Sequence, residues 1–130
     1  MNSAALEEIP LFAGLTEEER AEVATRLREV TAEPGTSLAV QGDNAYQLLV
    51  IESGSAEVRR DGDILRTLGP GDVFGEIGLL ATGTRTASVV ATSPMRLSAM
   101  FIRDFKDLER RIPQLGTSLR EAMAARPWTS

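Results

Sequence analysis

Glycine, a carboxylate, a short helical turn and an arginine follow one another between Phe74 and Val89, in the stretch FGEIGLLATGTRTASV. That set suits a small anionic sugar phosphate. A helical turn over 76–81 would aim its free N–H groups and its positive dipole end toward Gly75, where an anion is the natural occupant. Arg85, beyond a glycine-containing loop, would close on the same anion, since its planar fork of donors matches two phosphate oxygens and stays charged when desolvated. Glu76 is acceptor-only when ionised, so its partner would be a sugar hydroxyl rather than the phosphate.

The elements that must position these residues are legible around them. Pro34-Gly35, Gly42-Asp43, Ser53-Gly54, Asp61-Gly62 and Gly69-Pro70-Gly71-Asp72 punctuate the chain about every ten residues, the rhythm of an all-β sandwich or roll. Strands are expected over Ser37 to Gln41, Tyr46 to Glu52, Ser55 to Arg60, Ile64 to Leu68, Ala87 to Thr92 and Met95 to Phe101. Ala56 and Val58 alternate with Glu57 and Arg59, which predicts one buried face. Leu48 to Ile51 lacks that alternation and is expected to be buried on both faces. Ahead of the strands, Thr16 with Glu19 forms a capping-box signature, and Leu15, Val23, Leu27 and Val30 form an apolar stripe at roughly helical spacing. Behind them, a charged helix from about Arg103 to Arg111 and a second over LGTSLREAMAAR are separated by Pro113.

Composition removes several classes of function. With no cysteine and no histidine, the chain has no thiol nucleophile, disulfide or imidazole metal ligand to offer. A catalytic reading would be left with carboxylates, lysine, serine or tyrosine, so no enzyme, metal or cofactor is expected. A net charge of −5 argues against direct binding to nucleic acid, whose affinity comes mainly from Lys and Arg neutralising phosphates. No apolar run approaches the length of a membrane span and no leader is evident, so a cytoplasmic location is expected.

The run FGEIGLL followed by RTASV resembles the phosphate-binding cassette of the cyclic nucleotide-binding domain family, which includes catabolite-activator-type regulators, cyclic-nucleotide-gated channels and regulatory subunits of cAMP-dependent kinase. LFAGLTEEE, PGTSLAVQGD and LGPGDVFGE extend the resemblance over nearly the whole chain. It implies a mainly β fold with flanking helices: a jelly-roll-like β-roll with an N-terminal helix, a short cassette helix and two C-terminal helices. One domain, 1–130, would comprise a helical segment 9–32, a roll 33–101 containing the cassette 74–89, and helices 102–127.

The resemblance also implies roles. Gly75 and Glu76 would hold the ribose, while the Ile77 and Gly78 backbone, Arg85 and Thr86 would hold the cyclic phosphate. Val58 and Leu68 resemble the aliphatic residues that flank the purine, although they also suit a core. Leu119, Met123 or Arg126 would touch the base from a lid helix, and Trp128 offers an aromatic plane for stacking or merely anchors the terminus. The expected function is non-catalytic sensing of cAMP or cGMP, signalled by the C-terminal helices to an effector protein or domain on another chain. The alternative is a nucleotide-free roll that binds a partner protein through an exposed patch of Leu115, Leu119 and Met123.

Overall fold

The computed structural model describes residues 2–40, 42, 47–75 and 87–124. Three short helices open it: α1 (Ser3–Leu6), α2 (Pro10–Ala13) and α3 (Glu17–Ala24). The capping box forms as the sequence predicts. Thr16 Oγ1 accepts from the Glu19 amide at 3.1 Å, and Glu19 Oε1 accepts from the Thr16 amide at 2.8 Å, satisfying two donors that the helix start would otherwise orphan.

The helical segment expected over 9–32 changes character after Ala24. Arg28–Ala32 is a strand, β1, antiparallel to the last strand of the roll. The stripe of Leu15, Val23, Leu27 and Val30 therefore serves two structures. Val23 and Leu27 pack on a helical core, while Val30 and Ala32 pack into the roll with Thr31 exposed between them. A period of two replaces the helical period at this point, and β-branched Val30 and Thr31 suit the change.

The remaining strands are β2 (Ser37–Ala39), β3 (Gln47–Ser53), β4 (Ala56–Arg60), β5 (Asp63–Leu68), β6 (Val73–Phe74), β7 (Ser88–Ala91) and β8 (Met95–Phe101), followed by α4 (Ile102–Arg111) and α5 (Gln114–Ala124). They form two antiparallel four-stranded sheets, ordered β1-β8-β3-β6 and β2-β7-β4-β5. Sequence alone missed β6, a two-residue strand set beside β3 by the turn before it. In that turn Asp72 Oδ2 accepts from the Gly69 amide at 2.8 Å, while the Ile51 amide donates to the Asp72 carbonyl at 2.9 Å.

Two cores result. Between the sheets lie Leu49, Ile51, Ala56, Val58, Leu68, Phe74, Ala87, Val89, Leu97 and Ala99, among others. Between the first sheet and the helices lie Leu48, Val50 and Met100 with Phe12, Phe105, Leu108, Leu115 and Leu119. The unbroken apolar run of β3 is explained by this arrangement, because its alternate residues face different cores. Leu115 and Leu119 are buried, so the open patch expected of an interaction module is not formed by these two leucines. Among the described residues, no helix is long and apolar enough to cross a membrane.

Candidate ligand-binding site

Strand β6 leads into the cassette. Leu49 pairs with Phe74 and Val50 with Val73, and Phe74 buries its ring between the sheets. The chain then turns at Gly75 with φ +90°, a conformation that a Cβ would strain. It re-enters at Ala87, which is buried, and continues as β7, where Val89 pairs with Val58 and Ala91 with Ala56. The chain thus leaves the first sheet at Gly75 and is met again on the second at Ala87, so the roll holds both flanks of the cassette.

Val58 and Leu68 lie beside this frame. Both are buried in the same core as Phe74 and Ala87, the residues that bracket the cassette, and Leu68 pairs with Ala56. Small side chains at Ala56, Ala87, Ala91 and Ala99 line this core. Glu76, Ile77, Gly78, Arg85 and Thr86 lie outside the described residues, as do the expected cassette helix, Arg126 and Trp128. Leu119 is brought to a different place, the core on the helical side of the first sheet. Met123 is in the last turn of α5.

Sequence reasoning missed the contacts that bind the N-terminal helices to α4. Arg26 donates to Asp104 Oδ1 at 2.9 Å and to Asp107 Oδ2 at 3.2 Å, and Arg111 pairs with Glu22. The hydrogen bond that Arg26 donates to Asp107, with the nearby Asp104, raises the Arg26 pKa above its ordinary value despite partial desolvation. The i, i+3 spacing of Asp104 and Asp107 puts both on one face of α4, but nothing local names Arg26 as their partner.

A cavity of about 300 Å³ lies elsewhere, between α1 and the Gly69–Asp72 turn, lined by Ala5, Glu8, Ile9, Ile51, Glu52, Pro70 and Gly71. Its two carboxylates make it a poor seat for a phosphate. Glu52 Oε2 already accepts from the fully buried Ser98 hydroxyl at 3.1 Å.

Comparison with known proteins agrees with this architecture. The model of the cyclic nucleotide-binding domain matches residues 29–111. The chain is 36% identical over 122 residues to the cyclic AMP receptor protein of Thermus thermophilus, covering 90% of this chain and 56% of that protein. It is 34% identical over 97 residues to the cAMP-dependent protein kinase regulatory subunit of Yarrowia lipolytica, covering 73% of this chain and 26% of that one. The crystal structure of the Thermus thermophilus catabolite activator protein superposes with a TM-score of 0.82 at 35% identity, over 90% of this chain and 57% of that one. The chain therefore spans about a quarter to a little over half the length of these relatives. It belongs to the cyclic nucleotide-binding domain family.

Proposed function

We propose that this domain binds cAMP or cGMP without chemical conversion and passes the bound state to an effector through its C-terminal helices. The observation that carries the reading is the frame around the cassette: Phe74 and left-handed Gly75 at the exit from one sheet, Ala87 and β7 at the return on the other. In this reading Gly75 and Glu76 hold the ribose, the Ile77 and Gly78 backbone with Arg85 and Thr86 hold the phosphate, and Val58 and Leu68 flank the base. Base contact by Leu119, now in the helical core, requires α5 to move, with Met123, Arg126 and Trp128 completing a lid.

The ion pairs from Arg26 and Glu22 to α4 support a mechanical part of the proposal. They tie α3 and α4 together across the shared core, so a displacement of α4 would carry the N-terminal helices with it. Signalling then requires the nucleotide to have different affinities for two helix positions, since equal affinity shifts nothing. The effector lies on another chain or in a further segment, and the site of action is cytoplasmic. Calorimetric titration with cAMP, cGMP and 5′-AMP tests the binding claim. Saturable heat from at least one cyclic nucleotide, and much weaker binding of the acyclic monophosphate, is expected; no heat from either cyclic nucleotide would refute it.

A further inference from the structure

Two arginines outside the cassette meet on one aromatic ring. Phe101 closes β8 and stands at the start of α4, half-buried. The Arg28 guanidinium lies 4.3 Å from its centroid and that of Arg103 lies 5.1 Å from it. Arg28 also donates to Gln47 Oε1 at 2.7 Å, which fixes its side chain. Both arginines are exposed, and among the described residues neither pairs with a carboxylate. Asp104, adjacent in sequence to Arg103, is engaged by Arg26. An aromatic ring thus supports two guanidiniums whose remaining donors, among the described residues, are not taken up by a carboxylate.

The place of this cluster adds to its meaning. Arg28, Ala99, Leu49 and Phe74 form one row across the first sheet, and Phe101 with Gln47 forms the next row on the same face. The cluster therefore sits at the end of the sheet where β6 runs into Gly75. Arg28 belongs to the roll and Arg103 to α4, so the two come together only while the first turn of α4 rests against the sheet.

We propose that Arg28 and Arg103, seated on Phe101, form a docking point for a carboxylate-rich segment of a partner protein. Planar guanidinium forks match carboxylates in pairs, and among the described residues no carboxylate pairs with either of them. A polynucleotide fits less well, because the chain carries a net charge of −5 and, among the described residues, the cluster brings together two arginines rather than an extended basic surface. Docking itself does not depend on nucleotide binding; only its coupling to the position of α4 rests on the function proposed above.

The test is an NMR titration of the protein, labelled at the arginine side chains, with a hexaglutamate peptide at low ionic strength. Inorganic phosphate and a short DNA duplex serve as parallel probes. Shifts centred on Arg28, Phe101 and Arg103 are expected, with affinity falling about fivefold in R28Q or R103Q and further in the double variant, and weakening with salt. R28K should lose part of the affinity, because it keeps the charge but not the fork. R28Q and R103Q alter exposed side chains, so their melting temperatures and their cyclic nucleotide affinities should match wild type; R103Q alone suffices if R28Q folds poorly. The proposal is overturned by absence of peptide binding, by equal affinity in the double variant, by shifts centred elsewhere, or by tighter binding of phosphate or DNA than of the peptide.

Discussion

Gly75 occupies a left-handed backbone position at the mouth of the cassette, and its lack of a Cβ is a backbone requirement before it is a ligand requirement. Gly75→Ala should cost about 1–2 kcal/mol of folding stability by chemical denaturation even with no nucleotide present. An unchanged midpoint would show that this turn adjusts freely. Leu68 is 1% exposed in the roll core, so Leu68→Ala should lose about 2–5 kcal/mol whether or not its side chain also touches a base. A loss under 1 kcal/mol would mean the core collapses around the gap. At this scale the sequence was informative where the chemistry is local. The Thr16–Glu19 capping box spans four consecutive residues and forms as expected, whereas Arg28 and Phe101 meet across more than seventy positions and carry no local sign of each other.

Element boundaries followed the same division. β8 occupies the expected span Met95–Phe101, because a turn at Ser93-Pro94 marks its start and a helix takes over at Ile102. β1 was obscured because Leu27 and Val30 continue a helical spacing while packing on two different cores. Helix α3, whose exposed face is rich in glutamate, depends on its cap. Thr16→Ala should cost about 0.5–2 kcal/mol, read from urea unfolding; a variant as stable as wild type would contradict the role of the box. The clasp of Arg26 with Asp104 and Asp107 is partly exposed, so its contribution should shrink as salt rises, and wild type and Arg26→Ala should converge in stability near 1 M NaCl. Because the folded-state pKa of Arg26 is raised, its share of stability is fully present below the ordinary arginine value and is lost only as pH climbs through the raised one. The arginine itself should therefore add no slope to stability between about pH 6 and 9. A difference between the two proteins that is independent of salt would argue that Arg26 acts through packing instead.

At the scale of the whole molecule, one sheet serves two cores, and that shared wall connects the roll interior to the helices. Leu49 faces Phe74 and the inner core, while its neighbours Leu48 and Val50 face Phe105 and Leu115 with the other helical residues. The β6 strand that ends at Gly75 pairs with β3, the strand on which the C-terminal helices pack, and the proposed signalling would use this shared wall. Fold class was readable from turn spacing and the cassette motif, but the division of apolar residues between two cores was not, since apolar character alone does not say which face meets which partner. The central claim is that a cyclic phosphate is held at the cassette by Arg85. It is tested most directly by calorimetric titration of cAMP and cGMP into wild type and Arg85→Ala side by side. The account predicts saturable binding to wild type and a loss of about 2–5 kcal/mol of binding free energy in the variant, with folding intact. Equal affinity in the two proteins would contradict it.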